Sequence, residues 1–302
     1  MKRAAPDPEL LGRIAGSRPV VEVRALDPGY PDHGSDVWLV RTEAQELIVR
    51  SSRLREEPDR EFWWGLKALF GVDPRNMDHV EAALKLLSGI PDIPVPRVLA
   101  RERVNGREYL AVERMRGAML PSFIGQPDEL LRSFGAWLAR VHRLETDVFG
   151  NPAGTRREAK EHFHGRLAEI VRVMVGREHP DDPEMREWLD VALDELSRLP
   201  APEACCPVLV DLGPGQFLAE DGRITALVDV EAYVLAPREL DFVNLEYELD
   251  ARAAEAFLEG YSSVLDVPDL SRCRTAYRLF CRLMGVKGSV DIRKWMAHPW
   301  LF

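Results

Sequence analysis

The sequence predicts an α+β chain of two unequal lobes: a small antiparallel sheet lobe over residues 1–115 and a larger, mainly helical lobe over 116–302. Three observations carry this. Strand-like runs concentrate before residue 115, apolar residues at helical spacing dominate after Arg116-Gly117, and one β-rich patch, 207–233, sits among those helices. The 302 residues, 46% hydrophobic and 30% charged, suffice for a core in each lobe and exclude wholesale disorder.

VVEVRAL (20–26) and DVWLVRT (36–42) are rich in β-branched and aromatic residues, and LIVRS (47–51) follows a short polar turn. DPGYPDHGS (27–35) between the first two is a run of turn formers. EFWWGLKALF (61–70) and HVEAALKLL (79–87) repeat apolar residues at helical spacing and are closed by the Pro-rich IPDIPVPRVL. Asn105-Gly106, between RVLARERV and REYLAVERM, is a hairpin signal. Residues 20–115 are therefore expected to form an antiparallel sheet with a helix packed on it. Helical patterns in the second lobe cover 130–145, 164–176, 185–199, 253–265 and 271–285. Within 207–233, Glu220-Asp221-Gly222 separates FLA from RITALVD and predicts a second hairpin.

The formal charge of −10 makes the chain a poor binder of phosphate backbones, so no nucleic-acid partner is expected. Neither a signal peptide nor an apolar run of the ~20 residues that span a bilayer is seen, so no membrane partner is expected either. Cys205, Cys206, Cys273 and Cys281 lack zinc-site spacing and read as reduced thiols of a cytoplasmic protein. His162 and His164 read as surface residues, and the Trp63-Trp64 pair as packing between lobes. Segment 181–203 has 8 acids and 2 basic residues, and 244–256 has 4 acids and 1 basic residue. Either could be a solvated helix face or a seat for a cationic molecule.

The chemistry is expected at the 207–233 hairpin. Asp211 lies in a Gly/Pro-rich loop, Gln216 starts the first strand and Asp229 ends the second. With residue 216 pairing near 226, folding the hairpin leaves Asp229 about three residues beyond Gln216, roughly 10 Å. Two carboxylates and an amide then share one mouth. Such oxygen ligands suit a hard cation such as Mg²⁺, and a carboxylate there can orient a hydroxyl and accept its proton. The bland alternative is that Asp211 is a turn former.

At this point the sequence resembles the aminoglycoside phosphotransferase family, whose fold is protein-kinase-like and which includes choline-kinase-type enzymes. The family signature His-Gly-Asp-Leu-His-Pro-Gly-Asn is matched by Leu209-Val210-Asp211-Leu212-Gly213-Pro214-Gly215-Gln216, and its Ile-Asp-Trp-Glu-like strand by Val228-Asp229-Val230-Glu231. Asp241 in APRELDF, His142 ending FGAWLARVH, and FLEGY (257–261) match further parts of the pattern. The resemblance spans roughly residues 20–285.

It implies a small-molecule kinase that uses Mg²⁺ and ATP or GTP to phosphorylate a hydroxyl of an aminoglycoside-like antibiotic or other hydroxylated metabolite, possibly cationic. Asp211 would be the catalytic base, and Asp229 and Gln216 the metal ligands, with Gln216 replacing the family's Asn. Gly34 and Ser35 of His33-Gly34-Ser35-Asp36 would approach the phosphates, and Arg50 would stand where kinases carry Lys. Glu81, with Glu61 as alternative, would pair with Arg50. The hinge Ala111–Met115, including Glu113 and Met115, would receive the base. Leu209, Gly213 and Gln216 depart from the signature and motivate a second reading, a catalytically degenerate binder or regulatory partner. Asp229 and Asp241 lie too close for a peptide-docking activation loop, which argues against a protein kinase.

Overall fold

The computed structural model describes residues 6–16, 18–26 and 34–302, and two lobes are seen. The small lobe starts with a helix that the sequence pattern did not announce, α1 (Pro8–Ala15). Its signals are local: Asp7 caps the Glu9 amide and proline occupies the first turn. Then come β1 (Val20–Leu26), β2 (Ser35–Thr42), β3 (Glu46–Ser52), α2 (Glu61–Phe70), α3 (Asp78–Leu87), β4 (Val98–Val104) and β5 (Arg107–Glu113). The strands form one antiparallel sheet in the order β1-β2-β3-β5-β4.

Strand alternation sorts this sheet into two faces. Trp38, Val40, Leu47, Val49, Tyr109 and Ala111 pack with Leu10 of α1. Leu110 and Val112, which pair with Arg50 and Ile48, join the core shared with the large lobe. The helix on the outer face is thus α1, whereas α2 docks on the large lobe. There Phe70 stacks on Phe163 at 6.4 Å, and Asn151 donates to the Phe70 carbonyl at 3.1 Å.

The large lobe comprises β6 (Ala118–Met119), α4 (Asp128–His142), β7 (Val148–Gly150), β8 (Arg157–Ala159), α5 (Phe163–Glu178), α6 (Pro183–Arg198), β9 (Cys206–Leu209), β10 (Phe217–Glu220), β11 (Arg223–Leu227), β12 (Tyr233–Ala236), α7 (Glu239–Leu245), α8 (Ala251–Ser262), α9 (Arg274–Leu283) and α10 (Ile292–Met296). The patch at 207–233 serves two small sheets. The β10–β11 hairpin pairs with β6, while β9 pairs with β12, which continues to β7 and β8. The hairpin turns at Asp221 and Gly222, both with positive φ (50° and 72°), as a tight turn of this hand requires.

Phe134 of α4 anchors the core against Phe123, Trp137, Phe217 and Phe257. Helices α4 and α8 approach closely because Gly135 and Gly260 face each other's backbones. A Cβ on Gly260 would run into the Arg132 carbonyl. Among the described residues, no helix is long and apolar enough to cross a membrane, and the four cysteines are buried and free.

Candidate functional site

The loop between β9 and β10 carries Asp211 and is braced from below. The fully buried Asp241 accepts the Leu209 amide at 3.1 Å and meets His142 Nε2 at 3.0 Å, while His142 Nδ1 lies 2.9 Å from the Tyr261 hydroxyl. Asn244 donates to the Val210 carbonyl at 2.5 Å. The Leu209 side chain is itself buried in the core. The loop is therefore braced through its backbone, where the family's histidine is missing.

Gln216 ties the loop to itself. Its Oε1 accepts the Gly213 amide at 2.8 Å, and its Nε2 donates to the Asp211 carbonyl at 3.1 Å. The expected 216–226 pairing is corrected by the register. Phe217 pairs with Leu227 and Leu218 with Ala226, a bulge follows, and the Gln216 carbonyl accepts the Val228 amide at 2.9 Å. The bulge takes up the turn-side mismatch. Gln216 thus sits opposite Val228, and the offset to Asp229 is one residue instead of three.

Asp211, Gln216 and Asp229 line one cleft of about 610 Å³, together with Gly34, Arg60–Trp63, Glu231, Glu248 and the turn Met284–Gly288. The Asp211 Oδ1 atom is buried without a hydrogen-bond partner. Burial first, and then the nearby Asp229 carboxylate, push the Asp211 carboxyl up to about 7, with Lys287 acting in the opposite sense. A carboxyl poised near neutrality suits proton transfer. Among the described residues no three His, Cys, Asp or Glu side chains gather as a complete metal site. Mg²⁺ does not need one, since one or two carboxylates suffice when phosphate oxygens and water complete its shell. The half-exposed Asp229 beside the unpartnered Asp211 oxygen fits such a donor set.

Arg50 reaches across from β3. Its Nη2 lies 3.0 Å from Asp229 Oδ1 and 2.8 Å from Glu231 Oε1, and Ser35 donates to that same Glu231 oxygen at 2.6 Å. Burial pulls the guanidinium pKa down, but Glu231 and Asp229 outweigh it and hold the charge. The pairing expected with a helix glutamate is thereby corrected. Glu81 points to Arg101 at 3.3 Å, and Glu61 lines the cleft near Gly285. Glu231 wins because the large lobe places it directly under β3, whereas α3 presents Glu81 at an exposed edge.

Gly34 lines the cleft, and a Cβ there would come 2.7 Å from Trp63 Nε1, so the small residue admits the indole. Trp63 is accordingly a cleft wall as well as a packing residue. His33 and the rest of the loop at 27–33 lie outside the described residues. Glu113 pairs with Arg97 at 2.9 Å, and Met115 lines a separate cavity with Glu46 and Gly117 at the connection between lobes. Neither is brought to Asp211. His164 is half-buried and lies 2.9 Å from the Tyr277 hydroxyl, so it is not a free surface group.

None of the cleft residues comes from 181–203, where five of the eight acids lie on α6, and from 244–256 only Glu248 contributes. Sequence reasoning assigned no role to Glu231, Glu248 or Lys287. Glu231 stood inside the quoted motif, so its spacing was a usable signal. Lys287 belongs to no motif, and only its flanking glycines marked a turn.

The sequence profile of the phosphotransferase enzyme family matches residues 31–275. No curated protein matches the chain. Solved structures share its fold at low identity. A macrolide 2′-phosphotransferase from Brachybacterium faecium is 16% identical with a TM-score of 0.63, over 92% of this chain and 89% of that one. A spectinomycin phosphotransferase, APH(9)-Ia, solved with ADP and spectinomycin, is 12% identical with a TM-score of 0.62, over 95% and 87%. A putative fructosamine-3-kinase from Haemophilus somnus 129PT is 15% identical with a TM-score of 0.61, over 95% and 93%.

Proposed function

From the premise that the chain belongs to the phosphotransferase enzyme family, we propose that it transfers the terminal phosphoryl group of ATP or GTP to a hydroxyl of a small molecule. The observation that carries this is Asp211, with one oxygen buried and unpartnered, lining a cleft together with Asp229 and Gln216, while Arg50 of the small lobe pairs with Asp229. The acceptor oxygen forms its bond to the terminal phosphorus as the bond to the bridging oxygen breaks. The hydroxyl proton passes to Asp211, and the nucleoside diphosphate leaves with the electron pair.

Asp229 and Gln216 would hold Mg²⁺, which when bound neutralises phosphate oxygens. For Gln216 this uses the second lone pair of its carbonyl, the first being engaged by Gly213. Arg50, once released from Asp229, turns its fork to the phosphates while Glu231 keeps it in place. Gly34 and Ser35 border the phosphates, and Glu113 and Met115 belong to the base-binding hinge. Carboxylates outnumber cations along the cleft, which favours a cationic, hydroxylated acceptor such as an aminoglycoside-like antibiotic. Reduced cysteines and nucleotide use favour action in the cytoplasm.

The test is a screen for nucleotide consumption over hydroxylated antibiotics and metabolites, read by mass spectrometry for one phosphate gained, with Asp211→Ala beside the wild type. Transfer lost in Asp211→Ala is expected. A wild type that binds no Mg²⁺–nucleotide refutes the proposal. One that binds nucleotide but modifies nothing in the screen favours a nucleotide-binding regulator.

A further inference from the structure

Gly213 stands two residues after Asp211, where the family signature carries a histidine. Its φ of −165° is extended backbone open to any residue, so conformation does not require a glycine. Space is tight instead: a Cβ at 213 would meet Glu248 Oε1 at 3.0 Å, Lys287 Nζ at 3.3 Å and Gln216 Oε1 at 3.5 Å, so the ends of the first two side chains would have to give by a few tenths of an ångström. The volume above the loop is thus taken by the Lys287–Glu248 ion pair.

Lys287 is delivered from far along the chain, beyond the stretch matched by the family profile. Helix α9 ends with Gly285 at φ +66°, where the Val286 amide bonds back to Cys281 and the Gly285 amide to Arg282. The Gly288 amide then closes a turn on the Gly285 carbonyl at 2.8 Å, and this turn presents Lys287 to the cleft. Its ammonium donates to Glu248 and to the Leu212 carbonyl (3.3 Å), in the residue next to Asp211. An ammonium has three donors, so one remains for the cleft.

We propose that Lys287 supplies, from the C-terminal segment, the polar side chain that the loop lacks at position 213, and that it holds the terminal phosphate of the nucleotide beside Asp211. The inference rests on the phosphotransferase reading above. The geometry fits the terminal phosphate rather than the inner ones. Lys287 bonds to the loop that carries Asp211, where the attacked phosphorus would lie, whereas Arg50 approaches from the small-lobe side with Asp229. Charge neutralisation there acts in a partly desolvated site, where an ammonium is more effective than in water.

Binding is measured calorimetrically with Mg²⁺ and either a nucleoside diphosphate or a non-hydrolysable triphosphate analogue, in adenine and guanine forms. Lys287→Ala is expected to weaken the triphosphate analogue by about tenfold or more and leave the diphosphate unchanged. Lys287→Arg should retain most of the preference. Lys287→Ala combined with Gly213→Lys should restore it, because loss of the Lys287 ammonium clears one of the two close contacts at 213 and leaves Glu248 free to pair with the new one. Equal loss of both nucleotides, or no loss, overturns the inference and leaves the phosphotransferase reading standing. A wild type that binds neither nucleotide overturns that reading, and this inference with it.

Discussion

Replacing Asp211 with asparagine should stabilise the protein, increasingly so as pH rises. In the folded chain this carboxyl titrates near 7 instead of at its ordinary 3.8, chiefly because burial disfavours its charged form. An unfolded chain ionises Asp211 freely near pH 4. Between pH 4 and 7 the unfolded state therefore binds fewer protons, and stability falls as pH rises through that window. At about 1.4 kcal/mol per pH unit the loss amounts to roughly 4 kcal/mol at most, complete near pH 8. Asparagine has the same shape and cannot ionise, so Asp211→Asn should show no such loss. Urea unfolding of both proteins at several pH values from 4 to 8 gives the difference directly, provided the slope against urea is unchanged. The gap should be near zero at pH 4 and widest at pH 8. A difference that stays flat across this range, or an asparagine variant less stable at pH 8, would refute the reasoning.

Three other outcomes are expected. Arg50→Met leaves the buried Glu231 without its cation and should cost about 3–5 kcal/mol in denaturant unfolding, with much of the loss recovered by adding Glu231→Gln. Gly260→Ala drives a methyl group into the Arg132 carbonyl and should destabilise by about 3 kcal/mol. A thermal scan showing no change would mean that α4 and α8 can separate freely. Gln216→Ala removes both hydrogen bonds that tie the Asp211 loop to itself, at a cost of about 1–2 kcal/mol. Hydrogen exchange at the Gly213 amide should then accelerate; unchanged protection would show that the loop is held by Asp241 and Asn244 alone.

By itself the sequence determined the two-lobe plan, both hairpins, most helices and a stretch whose loop and strand end line the cleft. Those features rest on local periodicity and turn chemistry, which are written within a few neighbouring residues. The α1 helix was missed because eight residues offer little periodicity, although its Asp-Pro start was a valid signal. The offset of Asp229 was misjudged because a bulge does not show in alternation. What only the tertiary structure decided is which charges meet. Arg50 pairs with Glu231 and not Glu81, α2 sides with the large lobe, and Lys287 fills the space left open at Gly213. These partners lie far apart in the chain. Their choice depends on packing between lobes and on competition among many equivalent carboxylates, so no local pattern encodes it.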